Sequence, residues 1–104
     1  MDINKLTQKM DDFVESKGWY KPDSPRPQTP RNLAVSLSLE AIEVMEHFQW
    51  TEKILNKEEL ASELADVALY LFQLASIADI DLEKAILKKL EINKMREWDK
   101  ENEG

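Results

Sequence analysis

Apolar side chains at Ile3, Leu6, Met10, Phe13 and Val14 fall three and four residues apart, the spacing that collects them on one face of a helix. The pattern predicts helix one over residues 3–16, with Gly18 near its C-terminal end. The stretch KGWYKPDSPRPQTP, residues 17–30, then holds all four prolines and cannot continue as helix. Its adjacent aromatics, Trp19 and Tyr20, are unusual for a simple linker. Thr29 and Pro30 supply an N-cap and a first helical residue, so helix two runs from there to about residue 50. Asn56 and Glu59 have capping-box spacing and open helix three, which extends to about residue 78. The next break falls in ADIDL, with Asp79 or Asp81 as N-cap, and helix four covers roughly 82–98 before a frayed DKENEG tail. No segment alternates with the period of a strand, and Gly18 and Gly104 are the only glycines. The expected fold is all-α, an antiparallel bundle of about four helices in a single domain spanning residues 1–104.

Composition narrows the class. Hydrophobic residues make up 42% and charged residues 34% of the 104, a globular balance. A core is small at this length, and helix three is apolar around most of its circumference, so self-association is expected to cover the excess. There is no cysteine, which excludes disulfides and thiolate metal sites and fits a reducing cytoplasm. The N-terminal sequence has no basic segment leading into an apolar one, and no run approaches the roughly 18 consecutive apolar residues of a membrane span. The net charge of −7, from 21 acidic and 14 basic residues, repels a nucleic-acid polymer. A single nucleotide is not excluded, because a bound metal inverts the field locally.

The acids have a pattern. Glu40 and Glu43 lie one turn apart inside the apolar stretch SLEAIEVMEHFQW, and Glu63, Asp66 and Tyr70 share a stripe of helix three. Packing helices two and three antiparallel brings the two acidic pairs together. Four clustered carboxylates repel one another and raise their own pKa values unless a cation is present. Oxygen-only ligation suits Mg²⁺, or Mn²⁺, which fills its remaining positions with water and substrate phosphate. The plain alternative is an acidic helix face with no ligand.

The motifs reach further than the acids. Glu40-Ala-Ile-Glu43, nineteen intervening residues, then Glu63-Leu-Ala-Asp66 resembles the ExxE…ExxD metal motif of the MazG-like, all-α nucleoside-triphosphate pyrophosphohydrolases, including their dCTP pyrophosphatase-like branch. PRNLAVSLSLEAIEVMEHFQW is similar to that family's PRNL opening and FQW ending. KKLEINKMREW is similar to its K-x3-N-x2-R pattern, carried here by Lys89, Asn93 and Arg96. The resemblance covers about residues 10–98. It implies that Glu40, Glu43, Glu63 and Asp66 hold Mg²⁺, that Tyr70 contacts substrate, and that Trp19 and Trp50 match aromatics of a base pocket. The implied reaction cleaves a nucleoside or deoxynucleoside triphosphate between the α- and β-phosphates, giving monophosphate and pyrophosphate. The chain departs from the family at Leu39, where glycine is common, in its proline-rich 19–30 segment, which lacks a histidine of the dCTP-preferring branch, and at Glu97-Trp98. Base preference is therefore not carried over.

Physical reading adds roles. Phosphoryl and nucleotidyl transfer are mostly positioning and electrostatic stabilisation. A glutamate of the cluster can act as general base, though the sequence does not single one out. Lys89 and Arg96 lie seven residues apart on one helix face with Asn93 between them, placed to hold a phosphate tail or simply to form a solvated basic face. Trp19 and Trp50 can stack on a base, whereas Phe13 reads as core. His47, four residues after Glu43, is expected to support the acids rather than to ligate metal. A carboxylate-bridged di-iron protein is ruled against, because it wants Glu-x-x-His and Val44 stands three residues before the single histidine. The remaining rival is a non-catalytic helical protein-interaction module. The expectation is a cytoplasmic hydrolase, a homodimer or a dimer of dimers.

Overall fold

The computed structural model describes residues 1–96 as four α-helices, and no strand occurs among the described residues. The expected end of helix four, Glu97-Trp98 and the DKENEG tail lie outside the described residues. Helix α1 spans Ile3–Ser16, α2 Pro30–Glu46, α3 Lys57–Ile77 and α4 Leu82–Met95.

Short polar side chains set each start. Asp2 accepts from the Lys5 amide at 2.9 Å, Thr29 from Asn32 at 3.1 Å, Asn56 from Glu59 at 3.0 Å and Asp81 from Lys84 at 3.1 Å. Each satisfies an amide that the first helical turn leaves without a carbonyl. Asp81 is thus the cap, and Asp79 has a different task. It takes a left-handed φ of 57°, with Ile80 N–H donating to Ala75 at 2.8 Å and Asp79 N–H to Ser76 at 3.1 Å. That is a Schellman ending with aspartate where glycine is usual.

Helix α2 stops four residues before the expected end. From His47 to Gln49 the amides bond to carbonyls three residues back, at 3.0–3.3 Å, which tightens the last turn and reverses the chain toward α3. Gly18 closes α1 with φ 73°, a conformation that side-chain-bearing residues resist.

Helices α2 and α3 form the main packed pair, α1 lies on α3, and α4 touches α1. Contacts between His47 and Glu63 at one end, and between Gln28 and Gln73 at the other, make α2 and α3 antiparallel. The buried apolar core among the described residues is Met10, Val14, Leu33, Leu60 and Ala75. By contrast Leu39, Met45, Leu64 and Leu87 are each more than half exposed. The radius of gyration is 17.2 Å, against about 13 Å for a compact domain of this size. Helix α3 is 21 residues long, and an 18-residue stretch of it, with a mean hydropathy of 1.4, is apolar enough to cross a membrane, yet the helix carries Glu63 and Asp66 against α2.

Candidate active site

The antiparallel pair gathers the four acids. Glu40, half-buried on α2, is surrounded by Glu43 of its own helix and by Asp66 and Glu63 of α3. Burial raises its carboxyl above the ordinary carboxylate range, and the charges of Glu43, Asp66 and Glu63 add to the rise. One of its oxygens, Oε2, is buried with no hydrogen-bond partner. The ion pairs among the described residues are His47–Glu63 and Lys94–Glu91, so no lysine or arginine there is bonded to the four acids. Hard oxygen donors, mutual repulsion and an orphaned buried oxygen together fit a divalent cation.

His47 sits where the tightened turn leaves α2. Its Nε2 lies 2.5 Å from Glu63 Oε2, and both side chains are mostly buried. Donor atoms of His47, Glu59 and Glu63 lie within 4.8 Å of one another at the rim of an open cavity of about 510 Å³. The contact fixes the Glu63 carboxylate in the manner of a supporting histidine. Glu59 was not foreseen, although its i, i+4 spacing to Glu63 was legible.

On the other side of Asp66 the surface turns aromatic and amide-lined. Trp19, Tyr70 and Gln73 are shared by two adjoining cavities. One, of about 220 Å³, also takes in Asp66 and Phe13; the other, of about 430 Å³, is walled by Arg26, Gln28 and Asn32. Phe13, expected in the core, is 53% exposed and meets Trp19 edge-on, with ring centroids 5.8 Å apart. The proline-rich segment folds over α3 here, and the Arg26 guanidinium lies 5.8 Å from the Trp19 ring centre. Behind the wall, Asp11 accepts from Tyr20 at 2.5 Å and from Ser76 at 2.6 Å, while buried Gln73 donates to Gln28 Oε1 at 2.6 Å. Burial and the bond to Asp11 hold the Tyr20 hydroxyl well above the usual tyrosine range.

Residues 35–104, which include all four acids, match the MazG-like family. The chain belongs to the MazG-like family. It is similar in structure to a pyrophosphatase from Archaeoglobus fulgidus DSM 4304, with a TM-score of 0.75 and 36% sequence identity, covering 88% of this chain and 87% of that one. It is 37% identical to human dCTP pyrophosphatase 1 and 34% identical to the rat protein of that name, in each case over 64% of this chain and 45% of the relative. The MazG-like chain thus spans less than half the length of these curated relatives.

Within the MazG-like chain some expected site residues stand apart. Trp50 is 89% exposed in the turn after α2 and lines none of the cavities described. The early end of α2 points it away, where a longer helix would have kept it on the acidic face. Lys89 is exposed and Asn93 half-buried on α4, and Arg96 caps that helix. Helix α4 makes its main contact with α1, whereas the four acids sit between α2 and α3. Gln73, Tyr20 and Asp11 were missed. The visible signal was one polar residue inside LYLFQLA, three after Tyr70.

Proposed function

We propose that this MazG-like chain hydrolyses a nucleoside or deoxynucleoside triphosphate between the α- and β-phosphates, with Mg²⁺ as cofactor and Mn²⁺ as an alternative, releasing monophosphate and pyrophosphate. The observation that carries the reading is the convergence of Glu40, Glu43, Glu63 and Asp66, with a buried unpartnered oxygen, directly beside an aromatic cavity. The similarity to a pyrophosphatase and to dCTP pyrophosphatases supports the reaction class.

Glu40, Glu43, Glu63 and Asp66 would hold the cation, which when bound would supply Lewis acidity and positive charge to the phosphates. The chain's own groups do the positioning. His47 holds Glu63 through its 2.5 Å contact, so the carboxylate does not have to be ordered when substrate arrives. A glutamate of the cluster takes the proton of the attacking water. Trp19 and Tyr70 enclose the nucleoside next to Asp66, which leaves the phosphates over the acids. Lys89, Asn93 and Arg96 of α4 grip the phosphate tail, and a second copy can deliver them. The apolar faces of α2, α3 and α4 favour such a homodimer or dimer of dimers, in the cytoplasm.

The test is product identification. Incubation with Mg²⁺ and a panel of triphosphates, followed by ³¹P NMR, is expected to yield monophosphate and pyrophosphate in equal amounts. Orthophosphate as first product would exclude α–β cleavage. A melting temperature that responds to neither Mg²⁺ nor any nucleotide would leave the chain as a helical interaction module.

A further inference from the structure

Gln73 is a buried polar side chain in the wall shared by the two adjoining cavities. It is 4% exposed, lies on α3 and borders both cavities. Its amide is not free to turn. Nε2 donates to Gln28 Oε1 at 2.6 Å. Gln28 is itself locked, since its own Nε2 donates to the Arg26 carbonyl at 2.6 Å. With the nitrogen engaged in the wall, the Gln73 carbonyl oxygen has no hydrogen-bond partner among the described residues. Asn32, in the same cavity, is oriented alike, its Nδ2 donating to the Pro27 carbonyl at 2.9 Å. Each of these amides thus has a nitrogen engaged in the wall, which fixes which end of Gln73 is nitrogen and which is oxygen.

Position along the helix gives the scale. Gln73 is seven residues, about 10 Å of helix rise, from Asp66. That is comparable to the reach from an α-phosphate to the far edge of a base. A triphosphate with its phosphates over the acids would bring its base edge to Gln73.

We infer that Gln73 is a specificity-determining residue, whose fixed carbonyl oxygen selects bases carrying an exocyclic amino group over their keto counterparts. The inference rests on the active-site reading above. An amino group at that edge offers N–H to the oxygen. A keto group offers a second acceptor and leaves the buried amide opposed, and the adjoining ring N–H, between two carbonyls in uracil and beside one in hypoxanthine, donates only with repulsion from that flank. Cytosine is thus preferred over uracil, and adenine over hypoxanthine. The chemistry is an amino-for-keto choice and not a choice of ring size.

The test uses these two near-isosteric pairs. With Mg²⁺, kcat/KM is measured for dCTP against dUTP and for dATP against dITP, in the unaltered chain, in Gln73→Leu and in Gln28→Ala. The unaltered chain is expected to favour the amino partner of each pair by roughly 10- to 100-fold. Gln73→Leu should bring both ratios to within about threefold of unity, the loss expected when the one group that distinguishes the pair is removed. Gln28→Ala removes the anchor without touching α3, lets the amide turn over, and should narrow both ratios. It decides the matter if Gln73→Leu does not fold. A packing defect lowers all four values by one factor and leaves the ratios intact; that outcome overturns the inference, as does a preference for the keto partners in the unaltered chain. An unaltered chain that cleaves none of the four overturns the active-site reading and the inference with it.

Discussion

The two ends of α3 carry polar groups in opposite states. Toward its start, Glu63 and Asp66 face Glu40 and Glu43 across the helix pair, and a Glu40 oxygen is buried with no partner. Toward its end, Gln73 and Ser76 belong to a network in which Asp11 takes two hydroxyl donors and Gln28 takes an amide. Both ends lie on one amphipathic element, so the contrast is not one of burial or propensity. It is a contrast in what completes the site. The second end is anchored from within the chain through the Gln73 nitrogen and the Asp11 carboxylate and can be rigid; the first remains repulsive until a cation or proton enters. A wall that is complete beside acids that are not is an arrangement suited to a ligand with an organic end and a polyanionic end.

Breaking the unsatisfied end should have the largest effect. Asp66→Asn keeps the shape while removing one charge and one hard ligand. Turnover is expected to fall by at least about 100-fold, with the fold retained and the metal-free melting temperature unchanged or raised. Near-normal activity with the same Mg²⁺-induced rise in melting temperature would exclude Asp66 from the metal site.

Glu40 sharpens the contrast through pH. Its carboxyl is raised in the folded chain, so the folded state holds that proton more tightly than the unfolded one. The stability this confers is present below the unfolded carboxylate range and is lost as pH rises through the raised value. Metal-free protein should therefore lose melting temperature as pH climbs through and above the ordinary carboxylate range, and Mg²⁺ should reverse the loss. Glu40→Gln should flatten that dependence and raise the metal-free melting temperature at neutral pH, while activity is lost. A variant as pH-sensitive as the unaltered chain would place the effect elsewhere.

The smallest effect is expected at the satisfied end. Asp11→Ala leaves the Tyr20 and Ser76 hydroxyls without their acceptor and should cost about 1–3 kcal/mol of stability in urea titration. The rise in melting temperature on adding Mg²⁺ should be preserved, because the acids are untouched. An Asp11→Ala variant that lost the Mg²⁺ response would mean that the two ends act as one unit.

Much of this was legible along the chain. Helix starts at residues 3, 30, 57 and 82 follow from Asp2, Thr29, Asn56 and Asp81, because capping is a local contact over three residues. The two acidic stripes follow from helical periodicity alone, and a short connection was enough to fold them together. Local rules failed where an outcome depended on the next element. Helix α2 had the propensity to continue, but the reversal into α3 ended it at Glu46 and turned Trp50 outward. Phe13 had core spacing, yet the proline-rich segment put Trp19 against its ring edge at a cavity rim.

The sequence by itself therefore determined four helices with their starts, the antiparallel pairing of the second and third, and which acids share a stripe, since each is encoded in short spacings and a short connection. Only the tertiary structure decided that His47 closes on Glu63 sixteen residues away, that α4 packs on α1, and that Gln73 turns its nitrogen to Gln28 forty-five residues away. Side-chain orientation at such a site depends on partners brought together by packing, and no periodicity records which of two amide atoms will face a cavity.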